Sequence, residues 1–164
     1  GGLGHLAIEI LKAATAARVI AVDTRNDALE LAEQVGADRV VLAGDGAAQA
    51  TRSATRGLGA DVTLDFVGAD ATLALGAAAT RVLGDLTIVG LGGGTLPVSF
   101  FSLPYELSVQ TTYWGTRPEL VEVLDLGARG LLRPRVTEFR LDQAASVYRQ
   151  LAEGTLNGRA VIVP

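Results

Sequence analysis

Gly1-Gly2-Leu3-Gly4-His5 opens the chain and runs directly into Leu6, Ala7, Ile10, Leu11 and Ala14, an apolar set at helical spacing. A helix is therefore predicted to start at or near the first residue. Glycines ahead of a helix are what a dinucleotide-binding turn requires. One serves the tight turn, one lets the backbone approach a pyrophosphate, and one lets helix and sheet pack closely. Gly2 and Gly4, or Gly1 and Gly4, fit the later members of such a set, with their amides at the positive end of the helix. A glycine pair before a helix also serves as a plain turn.

Outward from this stretch the pattern alternates. Arg18 to Asp23 is a short β-branched run ending on an acid, and a helical pattern follows with Leu29, Ala32 and Val35 before Gly36. Arg39 to Leu42 and Asp61 to Val67 read as strands, with a weak helical stretch between them to about Gly57. Ala71 to Val82 reads as a crossover helix and Leu86 to Leu91 as a strand buried on both faces, running into Gly92-Gly93-Gly94. Leu96 to Phe100 and Val109 to Trp114 are predicted short strands. Pro118 suits the first turn of a helix over Glu119 to Ala128. Arg135 to Phe139, Leu141 to Glu153 and Ala160 to Val163 give a strand, an amphipathic helix and a last strand. Alternating helices and apolar strands imply βα units, a parallel sheet and helices on both faces.

Composition narrows the function classes. The 164 residues include 20 glycines and no cysteine, and the formal charge is -4. One domain of this size buries roughly 70% of its unfolded surface. Without cysteine the chain has no disulfide, no thiolate nucleophile and no cysteine-built metal site. The one histidine, His5, cannot furnish a usual zinc set, and no G-x-S-x-G accompanies it as a serine triad would require. No basic stripe favours nucleic acid. No run reaches 18 uninterrupted apolar residues, so no membrane association is expected and a cytoplasmic location is the expectation.

Several positions carry possible chemistry. Asp23 lies nineteen residues beyond Gly4 at the end of the next predicted strand, where a carboxylate accepts hydrogen bonds from both adenosine ribose hydroxyls and repels a 2'-phosphate. Its other reading is a helix cap or a solvent-facing acid, and Arg25, two residues on, is placed to neutralise a phosphate. Asp65 to Gly68, including Val67, and Val89 to Gly92, including Gly90, sit at strand ends, where open parallel sheets bind ligands; tight packing explains them equally well. His5 either touches phosphate, carries a proton or faces water. The rings of Tyr113 and Trp114 either cover a flat ligand or serve core or interface. Arg159 reaches a pyrophosphate only if the chain end folds back over the glycine turn. No catalytic group is visible.

Taken together, Gly1-Gly2-Leu3-Gly4-His5, Ala21-Val22-Asp23, Gly36-Ala37-Asp38, Asp65-Phe66-Val67-Gly68, Val89-Gly90, Tyr113-Trp114-Gly115 and Gly158 to Val163 resemble the coenzyme half of zinc-dependent medium-chain alcohol dehydrogenases, particularly the bacterial secondary-alcohol type. The resemblance spans essentially the whole chain. It implies a Rossmann-type doubly wound α/β fold with strand order 3-2-1-4-5-6, and NAD as the coenzyme. Residues 1–134 would form the NAD-binding domain, with residues 135–164 returning toward a catalytic lobe. By this likeness Gly1, Gly2 and Gly4 are the last glycines of the coenzyme turn, Leu3 packs near the nicotinamide and Asp23 holds the ribose. Val89, Thr112 and Trp114 contact the carboxamide through their backbone, and Arg159 contacts the pyrophosphate.

The chemistry implied is hydride transfer between an alcohol and NAD, with an aldehyde or ketone in the reverse direction. The zinc ligands would come from a lobe preceding Gly1. A homodimer or homotetramer is implied, with Leu96 to Phe100 at a two-fold contact. Ala28 departs from the basic residue often found five positions beyond the ribose acid, so adenosine phosphate contacts would be thinner. A zinc-free quinone or enoyl reductase of the same superfamily, or a non-catalytic nucleotide-binding module, is the competing expectation. The first strand of the fold is apparently missing, so the isolated chain is expected to be unstable.

Overall fold

The computed structural model describes residues 1–164, which form six α-helices and seven strands: α1 (Gly4–Ala14), β1 (Ile20–Asp23), α2 (Asn26–Gln34), β2 (Arg39–Leu42), α3 (Ala47–Ala54), β3 (Ala60–Asp65), α4 (Asp70–Ala79), β4 (Thr80–Ile88), β5 (Ser108–Thr111), α5 (Arg117–Ala128), β6 (Val136–Arg140), α6 (Ala144–Ala152) and β7 (Arg159–Val163). The chain divides into two compact units, Gly1–Val40 with Thr116–Pro164 and Val41–Gly115. β1 pairs with β2, the order β3-β4-β5 makes a second sheet, and β6 pairs with β7. The ladders of β3 with β4, β4 with β5 and β6 with β7 are parallel, and helices flank the strands. This is the Rossmann-type α/β architecture.

In the first unit, Ile8, Val19 and Ala32 form a buried cluster, with Leu11, Ala21, Val35 and Val40 packed around it. Leu11, Ala32 and Val35 are positions of the helical patterns in the sequence, whereas Ile8 lies outside the set Leu6, Ala7, Ile10, Leu11 and Ala14; through these side chains α1 and α2 pack on the strand at Val19 to Ala21. Asp38 fixes the corner where β2 begins. Its carboxylate accepts the Val19 amide at 2.7 Å and the Lys12 ammonium at 3.0 and 3.1 Å. The Val19 hydrogen bond, then Lys12, holds this carboxyl below its ordinary range. α5 starts with a capping box. The Thr116 hydroxyl faces the Glu119 amide while the Glu119 carboxylate accepts the Thr116 amide at 2.6 Å, which with the Thr116 hydroxyl lowers the Glu119 pKa. Residues 135–164 belong to this same unit.

In the second unit, α4 lies on β3 and β4, and Leu73 and Leu86 are its largest buried apolar side chains. Each contributes about 1.5–3 kcal/mol by leaving water. α4 ends at Ala79 instead of running on to Val82, because Thr80 starts β4 at once. The buried Thr80 hydroxyl lies 2.7 Å from both the Gly76 carbonyl and the Thr63 hydroxyl, so a polar group in the core is satisfied at the switch from helix to strand.

One further expectation is corrected. Leu96 to Phe100 is not a strand. Pro97 has no N–H to give a ladder, and the Ser102 side chain folds the segment into a turn by accepting the Ser99 amide at 2.7 Å and donating to the Pro97 carbonyl at 3.1 Å. β1-β2 and β3-β4-β5 are separate sheets, and no strand of residues 1–164 pairs with the second edge of β1 or of β3, in keeping with the expectation that the central first strand of the six is not among these residues.

Candidate functional site

The first unit holds the glycine turn. Leu3 occupies the N-cap of α1, no side chain caps the helix, and its first turn holds no acid. The leading amides thus lack the hydroxyl or carboxylate acceptor that helix starts usually have, and the positive end of the helix dipole is unsatisfied by the protein. Arg159 lies against this turn. A Cβ built on Gly2 would stand 3.0 Å from the Arg159 Cδ, 3.1 Å from its Nη1 and 3.1 Å from the Gly158 carbonyl oxygen. The chain end does fold back over the turn, and the turn residue at that contact is a glycine. The Arg159 guanidinium forms no ion pair, and its backbone amide donates to the Arg135 carbonyl at 2.8 Å.

Asp23, at the end of β1, brings Oδ2 to 3.9 Å from the Gly1 nitrogen, while Oδ1 accepts the Arg25 amide at 3.1 Å. Arg25 is engaged elsewhere. Its Nε and Nη2 grip the Asp27 carboxylate at 3.0 and 2.8 Å, and Nη1 donates to the Gly154 carbonyl. The cation that the sequence offered to a 2'-phosphate is thus already paired. His5 is 2% exposed, so the solvent-facing alternative is excluded; Nδ1 is 2.9 Å from the Gly1 carbonyl oxygen and Nε2 accepts the Arg135 amide at 3.1 Å.

The other candidates lie on the second unit. Asp65 ends β3 with its side chain turned inward: Oδ1 accepts the Val67 and Gly68 amides at 2.8 and 3.0 Å, and Oδ2 accepts the Thr72 hydroxyl at 2.8 Å. Beyond the strands, the two chain segments stay zipped. Val89 and Gly90 donate to the Asp65 carbonyl, Gly92 to that of Val67 and Gly94 to that of Gly68, all at 2.8–2.9 Å. A Cβ on Gly68 would fall 2.4 Å from the Gly90 oxygen, and one on Gly90 would fall 2.2 Å from the Val67 carbonyl carbon. Packing alone therefore demands both glycines. The Thr112 amide donates to the Ile88 carbonyl at 3.2 Å, carrying the ladder one residue past β5. Trp114 has a φ of +55°, rare for a bulky residue, and is 81% exposed with its ring edge-on to Tyr113 at 5.7 Å, so neither ring is a core residue. A groove of about 350 Å³ lined by Arg52, Val82, Phe101, Leu103, Pro104 and Tyr105 includes none of these candidates.

Sequence reasoning missed the bracket that His5 makes, the inward turn of Asp65, and Arg135, which faces both His5 and Arg159. The apolar set Leu6, Ala7, Ile10, Leu11 and Ala14 gave no such signal, because at 3.6 residues per turn His5 lies across the helix from it; the buried neighbour on its own side is Ile8, three residues on. No group of three His, Cys, Asp or Glu residues is placed to hold a metal ion.

The profile of zinc-binding dehydrogenases matches residues 2–129, and the chain belongs to that family. It is 33% identical to an NAD-dependent alcohol dehydrogenase of Sulfolobus acidocaldarius over 99% of this chain and 47% of that protein. It is 32% identical to an alcohol dehydrogenase of Geobacillus stearothermophilus over 99% of this chain and 48% of that protein. The crystal structure of the alcohol dehydrogenase from Aeropyrum pernix superimposes with a TM-score of 0.92 at 38% identity, covering 100% of this chain and 48% of the other. The chain spans about half the length of the curated relatives it matches.

Proposed function

We propose that this chain is the coenzyme-binding part of an NAD-dependent alcohol dehydrogenase, which moves hydride between a small alcohol and NAD and works on an aldehyde or ketone in reverse. The observation that carries this reading is the meeting of an uncapped helix start, the free guanidinium of Arg159 over Gly2, and the Asp23 carboxylate beside Gly1. Such an arrangement fits a dinucleotide from diphosphate to adenosine ribose.

The roles divide as follows. Amides at Gly2, Leu3 and Gly4 donate to diphosphate oxygens, and Gly1 keeps the turn open. Arg159 supplies the opposing charge, in a bidentate contact that a single phosphate oxygen pair accepts well. Asp23 accepts the two ribose hydroxyls and rejects a 2'-phosphate by charge, and the pairing of Arg25 with Asp27 supports NAD over NADP. Leu3 covers one side of the nicotinamide. On the second unit, Val67, Gly68, Val89 and Gly90 line the coenzyme, and the backbones of Val89, Thr112 and Trp114 hold the carboxamide. When bound, NAD supplies the hydride acceptor; the chain positions it and excludes water.

Residues 1–134 act as the NAD-binding domain, and residues 135–164 lead toward the catalytic lobe while bracing the turn. Zinc, where the whole enzyme uses it, is held by residues other than these. Val98, Phe100 and Phe101 are strongly exposed, which supports a homodimeric or homotetrameric contact at Leu96 to Phe100. No helix is long and apolar enough to cross a membrane, and a cytoplasmic enzyme is our reading.

Titrating the full-length protein with NADH and NADPH, then assaying alcohol oxidation beside quinone reduction, tests the proposal. Tighter NADH binding and NAD-linked alcohol oxidation are expected. Preference for NADPH would overturn the role of Asp23, and quinone reduction without alcohol oxidation would move the enzyme to the reductase class.

A further inference from the structure

We infer that His5 is a positioning residue for the coenzyme's diphosphate, setting the distance between the glycine turn and Arg159; this rests on the coenzyme reading above. The ring is buried and both nitrogens are used. The Arg135 amide can only donate, so Nε2 is the bare acceptor. The ring proton is then on Nδ1 and is donated to the Gly1 carbonyl. A neutral ring with no free nitrogen neither touches a phosphate nor relays a proton, which removes both functional alternatives that the sequence left open.

What the ring does touch forms a closed circuit. Gly1 is held by Nδ1 and the Arg135 amide by Nε2. The Arg135 carbonyl accepts the Arg159 amide at 2.8 Å, and the Arg159 side chain returns to lie over Gly2. Gly158 closes the corner with a φ of +79°, where a Cβ would be 2.5 Å from the Arg135 carbonyl oxygen. The rigid imidazole thus fixes two backbone groups 134 positions apart, Gly1 and Arg135, and with them the two sides between which a diphosphate would sit.

The test separates the two bonds. His5→Asn keeps a donor near the Nδ1 position, His5→Gln keeps an acceptor near the Nε2 position, and His5→Ala keeps neither. In the full-length protein, the Kd for NADH and for ADP-ribose should rise about fivefold for Asn and Gln and about twentyfold for Ala, at one hydrogen bond per step. KM for the alcohol should not change. A purely structural loss would lower the active fraction and leave the Kd of the surviving protein untouched. In parallel, the imidazole nitrogen signals of His5, assigned in the wild-type protein through their proximity to the Gly1 and Arg135 backbones, should show the Nδ1–H tautomer and shift when ADP-ribose is added.

Wild-type protein that binds NADH, with all three variants matching its Kd, would overturn the role of His5 alone. A ring protonated on Nε2, or one whose signals ignore ADP-ribose, would do the same even if the variants fail to fold. Wild-type protein that binds no dinucleotide would overturn the coenzyme reading itself.

Discussion

Replacing Gly90 with alanine asks how much the zipped strand ends are worth. The new Cβ would lie 2.2–2.4 Å from the Val67 N, C and O atoms, and backbone atoms cannot turn aside as a flexible side chain can. The segment after β4 must therefore move by more than 1 Å from the segment after β3 to restore about 3.4 Å of separation. That motion breaks the two nearest straps, Gly90 to the Asp65 carbonyl and Gly92 to the Val67 carbonyl. At about 1 kcal/mol for each hydrogen bond and about 1–3 kcal/mol for overpacking, the loss is about 3–5 kcal/mol.

Such a loss is a large share of the roughly 5–15 kcal/mol that holds a domain together. With an m-value of about 2 kcal/mol/M, the urea midpoint should fall by about 2 M. Far-UV circular dichroism is the suitable probe, since the only tryptophan, Trp114, is already exposed in the folded state. Two controls make the same chemical change elsewhere. Gly93→Ala meets open space but has a φ of +74°, and should cost about 1–2 kcal/mol. Gly127→Ala, inside α5 with nothing near, should stabilise by about 0.5–1 kcal/mol. A Gly90→Ala midpoint within 0.5 M of the Gly93→Ala midpoint would refute the reasoning, since roughly 1 kcal/mol then separates them at most.

Other expectations follow from single contacts. Asp38 has its pKa lowered in the folded state, so its stabilisation is complete above the unfolded carboxylate pKa near about 3.9 and is lost as pH falls through the lower folded value. Thermal midpoints scanned from pH 5 to pH 2 should therefore fall less steeply for Asp38→Asn than for the parent, and equal slopes would remove Asp38 from the acid limb. Asp65→Asn sets an amide N–H₂ or a weaker acceptor against three donors and should cost about 1–3 kcal/mol by urea denaturation, whereas Thr72→Val should cost about 1 kcal/mol. Arg159→Met should weaken NADH and NADPH alike by about tenfold or more, because both share the diphosphate; a loss confined to NADPH in fluorescence titrations would contradict the assigned contact. Asp23→Ser should instead narrow the difference between the two coenzymes.

The local signals in the sequence carried well. The helical spacing after Gly4, the β-branched run into Asp23, and Pro118 ahead of the helical run from Glu119 each identify an element through neighbours a few residues away, and α1, β1 and α5 lie there. What failed depended on distant partners. The run 96–100 has strand-like side chains, but a strand needs a neighbour, and Pro97 with Ser102 turns it aside. Thr80 looked like the continuation of a helix because its buried partner Thr63 is remote in sequence. The site divides the same way. Gly2, Asp23 and Arg159 could be named from motif and resemblance, yet periodicity cannot say that the Arg159 side chain lies over Gly2. It equally cannot say that His5 is saturated by Gly1 and Arg135, or that Gly68 and Gly90 are required by each other before any ligand is considered.

The brace between the two ends of the chain also bears on how the protein is made. The turn at residues 1–5 leaves a ribosome ahead of the Arg135 amide and the Arg159 side chain that complete it, which follow more than 130 residues later, and at about 5–20 residues per second that is a delay of roughly 7–30 s. During that interval α1 can form and pack on its neighbours up to Val40, but the His5 Nε2 lacks the Arg135 amide. Contacts so far apart also carry the largest loop-closure cost, so they belong to the late part of folding. Competence to hold a dinucleotide would then be among the last properties this chain acquires, and nucleotide in the surrounding solution would act on a structure already nearly complete instead of templating it.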